Sequence, residues 1–230
     1  MKILIILSTI GILLSVSCTT KSVDKSELNV SKEAEKNAKS VKSVNLQEPK
    51  KELIQNMQAA YKGETTAHFK YLAYSEKATK EDHQEIALLF KAAATAELIH
   101  AKNHQIVLLR MGEKIPEIYP EFKVKSTYEN LKEAINGESY EFSTMYPNFI
   151  KNAHAAGNYM AQISLTYAYK VEQKHRDLYI EALSQLNDNN DDSLAKIYFL
   201  CPTCGNTYAT IAPSRCEISM TDSKLFIQIK

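Results

Sequence analysis

The chain has 230 residues, 44% of them apolar, enough for one packed domain and a smaller module. A formal net charge of +1 supplies no field for a nucleic acid or an anionic membrane surface, so no nucleic-acid partner is expected. Six glycines and six prolines are few for this length, which favours long helices over strands and turns.

The N-terminal stretch MKILIILSTIGILLSVSC carries one lysine, an apolar run and then small residues. The run is short for a membrane span and reads as a signal peptide over residues 1–17. Its end, LLSVSC, resembles the lipobox of bacterial lipoproteins, in which the cysteine, here Cys18, is lipidated. Ser15 stands where Leu or Val is usual. The alternatives are a plain secretory signal cut near Ser17 and an uncleaved anchor. The expected product is exported, a bacterial cell-envelope lipoprotein held to a membrane through Cys18. Residues 18–48 are rich in Lys, Ser, Glu and Asn and have no aromatic side chain. They cannot bury enough apolar surface to offset chain entropy and are expected to form a disordered tether.

From 49 to 187 the apolar residues recur at helical spacing. Leu53, Met57, Ala60, Ala67 and Tyr71 form a first stripe, and Ile86, Leu89, Ala93, Ala96 and Val107 a second. Phe142, Met145 and Phe149 form a third, expected to begin after INGE, and Ala161, Leu165 and Ala168 a fourth, expected from about Asn158. Breaks at GEKIPEIYP and HAAGN separate them. The fold class is all-α, an antiparallel four-helix bundle with a longer connection between the second and third helices.

Each stripe holds residues that an apolar core would reject: Glu64; Glu97, His100 and His104; Glu138 and Glu141; Glu172 and His175. These polar residues repeat. Gly63-Glu64 is followed 33 residues later by Glu97 in AELIH, and Gly137-Glu138 is followed 34 residues later by Glu172 in VEQKH. Glu at i and His at i+3 share one helical face and can reach a common point inside a bundle. Four buried carboxylates without partners would be costly, and cations remove that cost. Two ions bridged by Glu97 and Glu172 and capped by Glu64, Glu138, His100 and His175 match the ligand set of carboxylate-bridged di-iron and di-manganese bundles. Oxygen ligands with some imidazole suit iron or manganese.

The stretches KGETTAHFKY, AELIHAKNH, NGESYEFSTMYPNF, VEQKH and YFLCPTCGNTYA resemble rubrerythrin over about residues 50–230. The resemblance implies a ferritin-like bundle holding two non-haem irons, with Glu64, Glu97, His100, Glu138, Glu141, Glu172 and His175 as ligands. It implies that Glu141 and His100 exchange on one iron with redox state, and that Tyr71 and Tyr146 hydrogen-bond near the site. It also implies hydrogen peroxide as substrate, an electron donor that the sequence does not identify, and a homodimer. His104 reads as packed or as supporting a ligand. His68, His83 and His154 carry no signal.

Residues 196–230 resemble a rubredoxin module. CPTCG is one Cys-x-x-Cys knuckle, with Cys201 and Cys204. A second should follow, and APSRCEIS stands there with Cys216 but with Ser219 in place of the fourth cysteine. The module is therefore degenerate. Three readings stay open: a three-thiolate iron site completed by Ser219 or water, a zinc knuckle, or a Cys201–Cys204 disulfide without metal. The expected activity is peroxide reduction in oxidative-stress defence. The alternatives are a ferroxidase or iron-binding bundle lacking a working electron-transfer module, and a helical scaffold with vestigial ligands.

Overall fold

A computed structural model describes residues 47–230. The expected signal peptide, Cys18 and nearly all of the tether lie outside the described residues. Helices α1 (Gln47–Lys80) and α2 (Gln84–Arg110) are followed by α3 (Thr127–Tyr140), a π-helical turn (Glu141–Met145), α4 (Tyr146–Ala155) and α5 (Tyr159–Asn187). α3, the π turn and α4 run on as one rod, so the bundle has four rods. α1 packs along α2, and the α3–α4 rod along α5; α2 against α5 and α1 against α4 join the two pairs.

The start of α3 lies beside the end of α1. The Thr127 N–H donates to Glu81 Oε2 at 2.7 Å, and the Tyr74 hydroxyl donates to the Lys123 carbonyl at 3.3 Å. The connection 111–126 therefore returns the length of the bundle, past Gln58, Ala59 and Lys62 of α1. Each pair is antiparallel, while α2 and α3 run parallel.

The third rod begins at Thr127, earlier than the glycine of INGE suggests. Ser126 closes a capping box there: its hydroxyl accepts from the Glu129 N–H, and the Glu129 carboxylate accepts from the Ser126 N–H. Gly137 then lies inside the helix, where it costs only about 1 kcal/mol of propensity. α5 begins where expected, with Asn158 accepting from the Ala161 N–H after Gly157 in left-handed backbone.

The π turn has a local cause. Pro147 has no N–H to donate to the carbonyl one α-turn back, and its ring crowds that carbonyl. The ladder widens there, so that the Tyr146 N–H donates to the Glu141 carbonyl five residues back. An α-helix turns about 100° per residue, which would leave Glu138 and Tyr146 about 80° apart. One inserted residue brings them within about 20°, on the same inward face.

The core falls into two apolar clusters. One gathers Tyr71, Tyr74, Phe90, Leu131 and Tyr179 around the alanines of α2. The other gathers Leu53, Met57, Leu108, Tyr146 and Leu165. In every rod the inward glutamate falls between residues of the two clusters, so a polar layer divides the interior. The C-terminal module is a small antiparallel sheet of β1 (Tyr198–Leu200), β2 (Thr207–Ala209) and β3 (Ile227–Ile229) in the order β2-β1-β3. Tyr198 and Leu200 bury into the first apolar cluster, the Asn103 side-chain amide donates to the Thr203 carbonyl, and Lys174 pairs with Glu217. The module is thus docked on α2 and α5.

Candidate metal centre

Glu64 comes from α1, Glu97 and His100 from α2, Glu138 from the last turn of α3, and Glu172 and His175 from α5. All six are at most 2% exposed. Their ligand atoms form two groups, in each of which the atoms lie within 4.8 Å of one another: Glu64, Glu97, His100 and Glu172 in one, Glu97, Glu138, Glu172 and His175 in the other. Glu97 and Glu172 belong to both. His100 Nδ1 lies 2.9 Å from Glu97 Oε2, 3.0 Å from Glu172 Oε1 and 3.6 Å from Glu64 Oε2. His175 Nδ1 lies 3.1 Å from each of Glu97 Oε1 and Glu172 Oε2. Each shared carboxylate therefore turns one oxygen to each half of the site.

The donor set fits two cations. Glu64 Oε2, both oxygens of Glu97 and Glu172, Glu138 Oε2 and Nδ1 of both histidines are buried without a hydrogen-bond partner. Spacings near 3 Å are those of ligand atoms about 2.1 Å from a common octahedral ion. Orphaned groups on this scale would be unaffordable in a neutral core.

The remaining ring nitrogens point the other way, into the C-terminal module. His100 Nε2–H donates to the Cys204 carbonyl at 3.0 Å, and His175 Nε2–H to Thr207 Oγ1 at 3.1 Å, which in turn donates to the Gly205 carbonyl. These bonds fix both imidazoles in the tautomer that offers Nδ1 to the cluster. Gly205, at φ 78°, makes the approach: a Cβ there would stand 2.5 Å from His100 Nε2.

The Tyr71 hydroxyl donates to Glu138 Oε1 and the Tyr146 hydroxyl to Glu64 Oε1, each reaching the glutamate of the other half of the repeat. His104, wholly buried, lies 3.2 Å from the Tyr146 hydroxyl through Nε2 and 2.8 Å from Ser164 Oγ through Nδ1. Sequence reading missed this Ser164–His104–Tyr146–Glu64 chain. Its signal was a second histidine one turn beyond His100 on the same stripe. It also missed the π turn, signalled by Pro147, and the docking of the module on both histidines, which no local pattern announces.

Glu141 lies outside both groups. It opens the π turn, half-buried, with burial and the charges of Glu64 and Glu138 pushing its carboxyl well above the usual range. Burial and Glu172 likewise raise Glu97, and burial with Glu97 raises Glu138. Burial disfavours the charged forms of His100 and His175, yet Glu172 and Glu64 around the first and Glu97 around the second raise both well above 6.5. Burial would raise Glu64 too, but His100 and His104 outweigh it and pull it down.

In the module, Cys201, Cys204 and Cys216 are buried free thiols rather than a disulfide. Cys201 Sγ lies 3.1 Å from Ser219 Oγ, and Cys204 Sγ lies 3.4 Å from Cys216 Sγ. A hydrogen bond from the Cys204 thiol pulls Cys201 down to about 4 and pushes Cys204 itself up.

A family model described as Rubrerythrin matches residues 55–183. Rubrerythrin-2 of Clostridium acetobutylicum is 34% identical over 163 residues, 70% of this chain and 88% of that protein. Nigerythrin of Nitratidesulfovibrio vulgaris is 34% identical over 176 residues, 75% of this chain and 84% of its own. The solved structure of fully reduced, all-ferrous nigerythrin superposes with a TM-score of 0.69 at 33% identity, covering 76% of this chain and 86% of that one. A bacterioferritin of Desulfovibrio desulfuricans, at 20% identity and a TM-score of 0.58, shares the fold.

Two predictions follow from the geometry. Glu97, Glu138 and Glu141 are raised above 4.5, and His100 and His175 above 6.5, so the folded metal-free chain holds more protons than the unfolded chain. That contribution to stability is present at low pH and is lost as pH rises through the raised values. Glu64 has the opposite sign, but it acts below 4.5. The melting temperature of chelator-treated protein, followed by circular dichroism, should fall between about pH 5 and pH 8, while the metal-loaded protein gains metal affinity over that interval. A flat metal-free profile would contradict the shared burial of these groups. Gly205→Ala should destabilise the protein by about 1–3 kcal/mol and weaken metal binding at His100, measured by denaturant titration and metal content.

Proposed function

This chain belongs to the rubrerythrin family, which binds a di-iron centre and is a family of oxidoreductases, and from that premise we propose that it reduces hydrogen peroxide to water. The observation that carries the reading is the pair of hydrogen bonds from His100 and His175 to the cysteine module. They join the two candidate metal sites through a carbonyl and a hydroxyl, a connection that iron storage does not need. Glu64, Glu97, His100, Glu138, Glu172 and His175 would hold the irons. The irons supply the two electrons and the Lewis acidity that cleavage of the peroxide O–O bond requires.

The chain supplies the rest. The overall change consumes one peroxide, two electrons and two protons and yields two waters, with the electrons restored by an external one-electron donor. Glu97 and Glu172 set the separation of the two metal positions. The Tyr71 and Tyr146 hydroxyls hold protons against Glu138 and Glu64 inside a site whose ligand residues are at most 2% exposed. Glu141, which opens the π turn, would be the carboxylate able to take the place of His100 as a ligand of oxidised iron. A hard anionic oxygen suits Fe(III) and a neutral nitrogen suits Fe(II). The same proposal keeps residues 1–17 as an export signal, 18–48 as a tether lipidated at Cys18, 49–187 as the bundle and 196–230 as the module, on the sequence argument above. It likewise keeps a homodimer.

Ser219 favours a second reading, a ferroxidase whose module carries electrons poorly. The full-length chain, loaded with iron and reduced anaerobically, separates the two. Under the proposal, one hydrogen peroxide oxidises two Fe(II) far faster than dioxygen does, and Tyr146→Phe slows that oxidation by about 10–100-fold with iron content kept. Equal or faster oxidation by dioxygen would establish the ferroxidase instead.

A further inference from the structure

The two loops of the C-terminal module are built alike. In the first, the Gly205 N–H donates to the Cys201 carbonyl at 2.9 Å, and the Cys201 N–H donates to the Asn206 carbonyl at 3.0 Å. In the second, the Met220 N–H donates to the Cys216 carbonyl at 2.8 Å, and the Cys216 N–H donates to the Thr221 carbonyl at 2.8 Å. The left-handed residue falls at the same place in each, Gly205 at φ 78° and Met220 at φ 61°. A methionine rarely adopts that conformation, and here the knuckle imposes it in spite of the missing glycine. The correspondence sets Cys201 against Cys216 and Cys204 against Ser219.

Side chains agree with the backbone. Ser219 Oγ lies 3.1 Å from Cys201 Sγ, among three buried thiols that lie within 4.8 Å of one another. Thr221 Oγ1 donates to Thr203 Oγ1, so at 2.8 Å it accepts from Ser219, whose hydroxyl proton is thereby turned away from the sulfurs. The oxygen lone pairs are left facing them.

We propose that Ser219 is a metal ligand, completing a closed Cys3Ser site with Cys201, Cys204 and Cys216 for one tetrahedral first-row cation, iron or zinc. Three thiolates select these ions, and the hydroxyl closes the fourth corner more weakly than a fourth thiolate would. Its four ligands all come from the module, so the assignment stands whether or not the di-iron centre turns over peroxide.

Cobalt(II) added to the full-length chain carrying Cys18→Ser tests it, because the module then holds the three remaining thiols that can give the near-ultraviolet charge-transfer band of thiolate-bound cobalt. One cobalt per chain should produce that band. Ser219→Cys should strengthen it and tighten binding by about tenfold or more, and Ser219→Ala should weaken binding by a similar factor and shift the visible bands. Circular dichroism and the metal content of the bundle, unchanged in both variants, separate loss of a ligand from loss of fold. One iron or one zinc per isolated chain, lost from Ser219→Ala, supports the site and tells which ion fills it. A Ser219→Ala variant with native affinity and spectrum would overturn the assignment, as would a native chain without the thiolate band beside a Ser219→Cys variant that has it.

Discussion

The structure turns on a layer of ionisable side chains laid across an otherwise apolar bundle. Glu64, Glu97, Glu138, Glu172, His100 and His175 stand between two hydrophobic clusters, and most of their inward atoms have no hydrogen-bond partner within the protein. A core of this kind is stable only if charge balances charge, because an unpaired carboxylate in a low-dielectric interior costs several kcal/mol even after relaxation. Two cations shared by Glu97 and Glu172 meet that demand, and without them protons must. The rods are arranged accordingly. α2, lined with alanines where it meets the first cluster, brings backbones close, and each rod delivers its glutamate to the same level.

The module is part of that solution rather than an appendage. Both histidines would be free to rotate on a bare bundle. Here Cys204 and Thr207 take their outer nitrogens, and Gly205 is the one residue type that permits His100 to come so near. Lys174 pairs with Glu217, and Tyr208, which donates to Glu217, lies under the Lys174 ammonium and stacks on Phe226. Glu217 stands where the first knuckle has Pro202, and in the fold its pairing with Lys174 ties the second knuckle to α5. The bundle and the module thus share hydrogen bonds at the ligands themselves, which couples the geometry of one metal position to the other.

Much of this was legible in the sequence because its signals are local and periodic. Glu-x-x-His places two donors on one face whatever surrounds the helix, and its recurrence with an inward glutamate in each half named six residues that the fold brings together. What was not legible depends on context. INGE suggested a helix start because glycine is a poor helix former, but the capping box at Ser126 sets the boundary and Gly137 is carried along. His104 read as packed or as supporting a ligand, and the sequence could not choose because its partners, Ser164 and Tyr146, come from two other rods. The docking of the module on His100 and His175 spans more than a hundred and more than thirty residues of sequence, beyond any pattern within one helix.

The unequal spacing of the repeat, 33 residues in one half and 34 in the other, has a structural address. From Glu97 back to the start of α2 and from Glu172 back to the start of α5 the counts agree, and the connecting turns are of equal length. The extra residue lies between Glu138 and Ala155, in the stretch that holds the π turn. With that residue set aside, Tyr146 becomes the counterpart of Tyr71, and each tyrosine donates to the other half's glutamate, as a pseudo-twofold pair should. The residues that break the symmetry then stand out. Glu141 corresponds to Ala67, and His104 corresponds to Tyr179. Both departures surround the half of the site built on Glu64 and His100. The inserted residue therefore does two things at once. It keeps Tyr146 in register with Glu64, and it frees the segment that carries Glu141 from the stiff α-helical ladder. The structural difference between the two metal positions originates there.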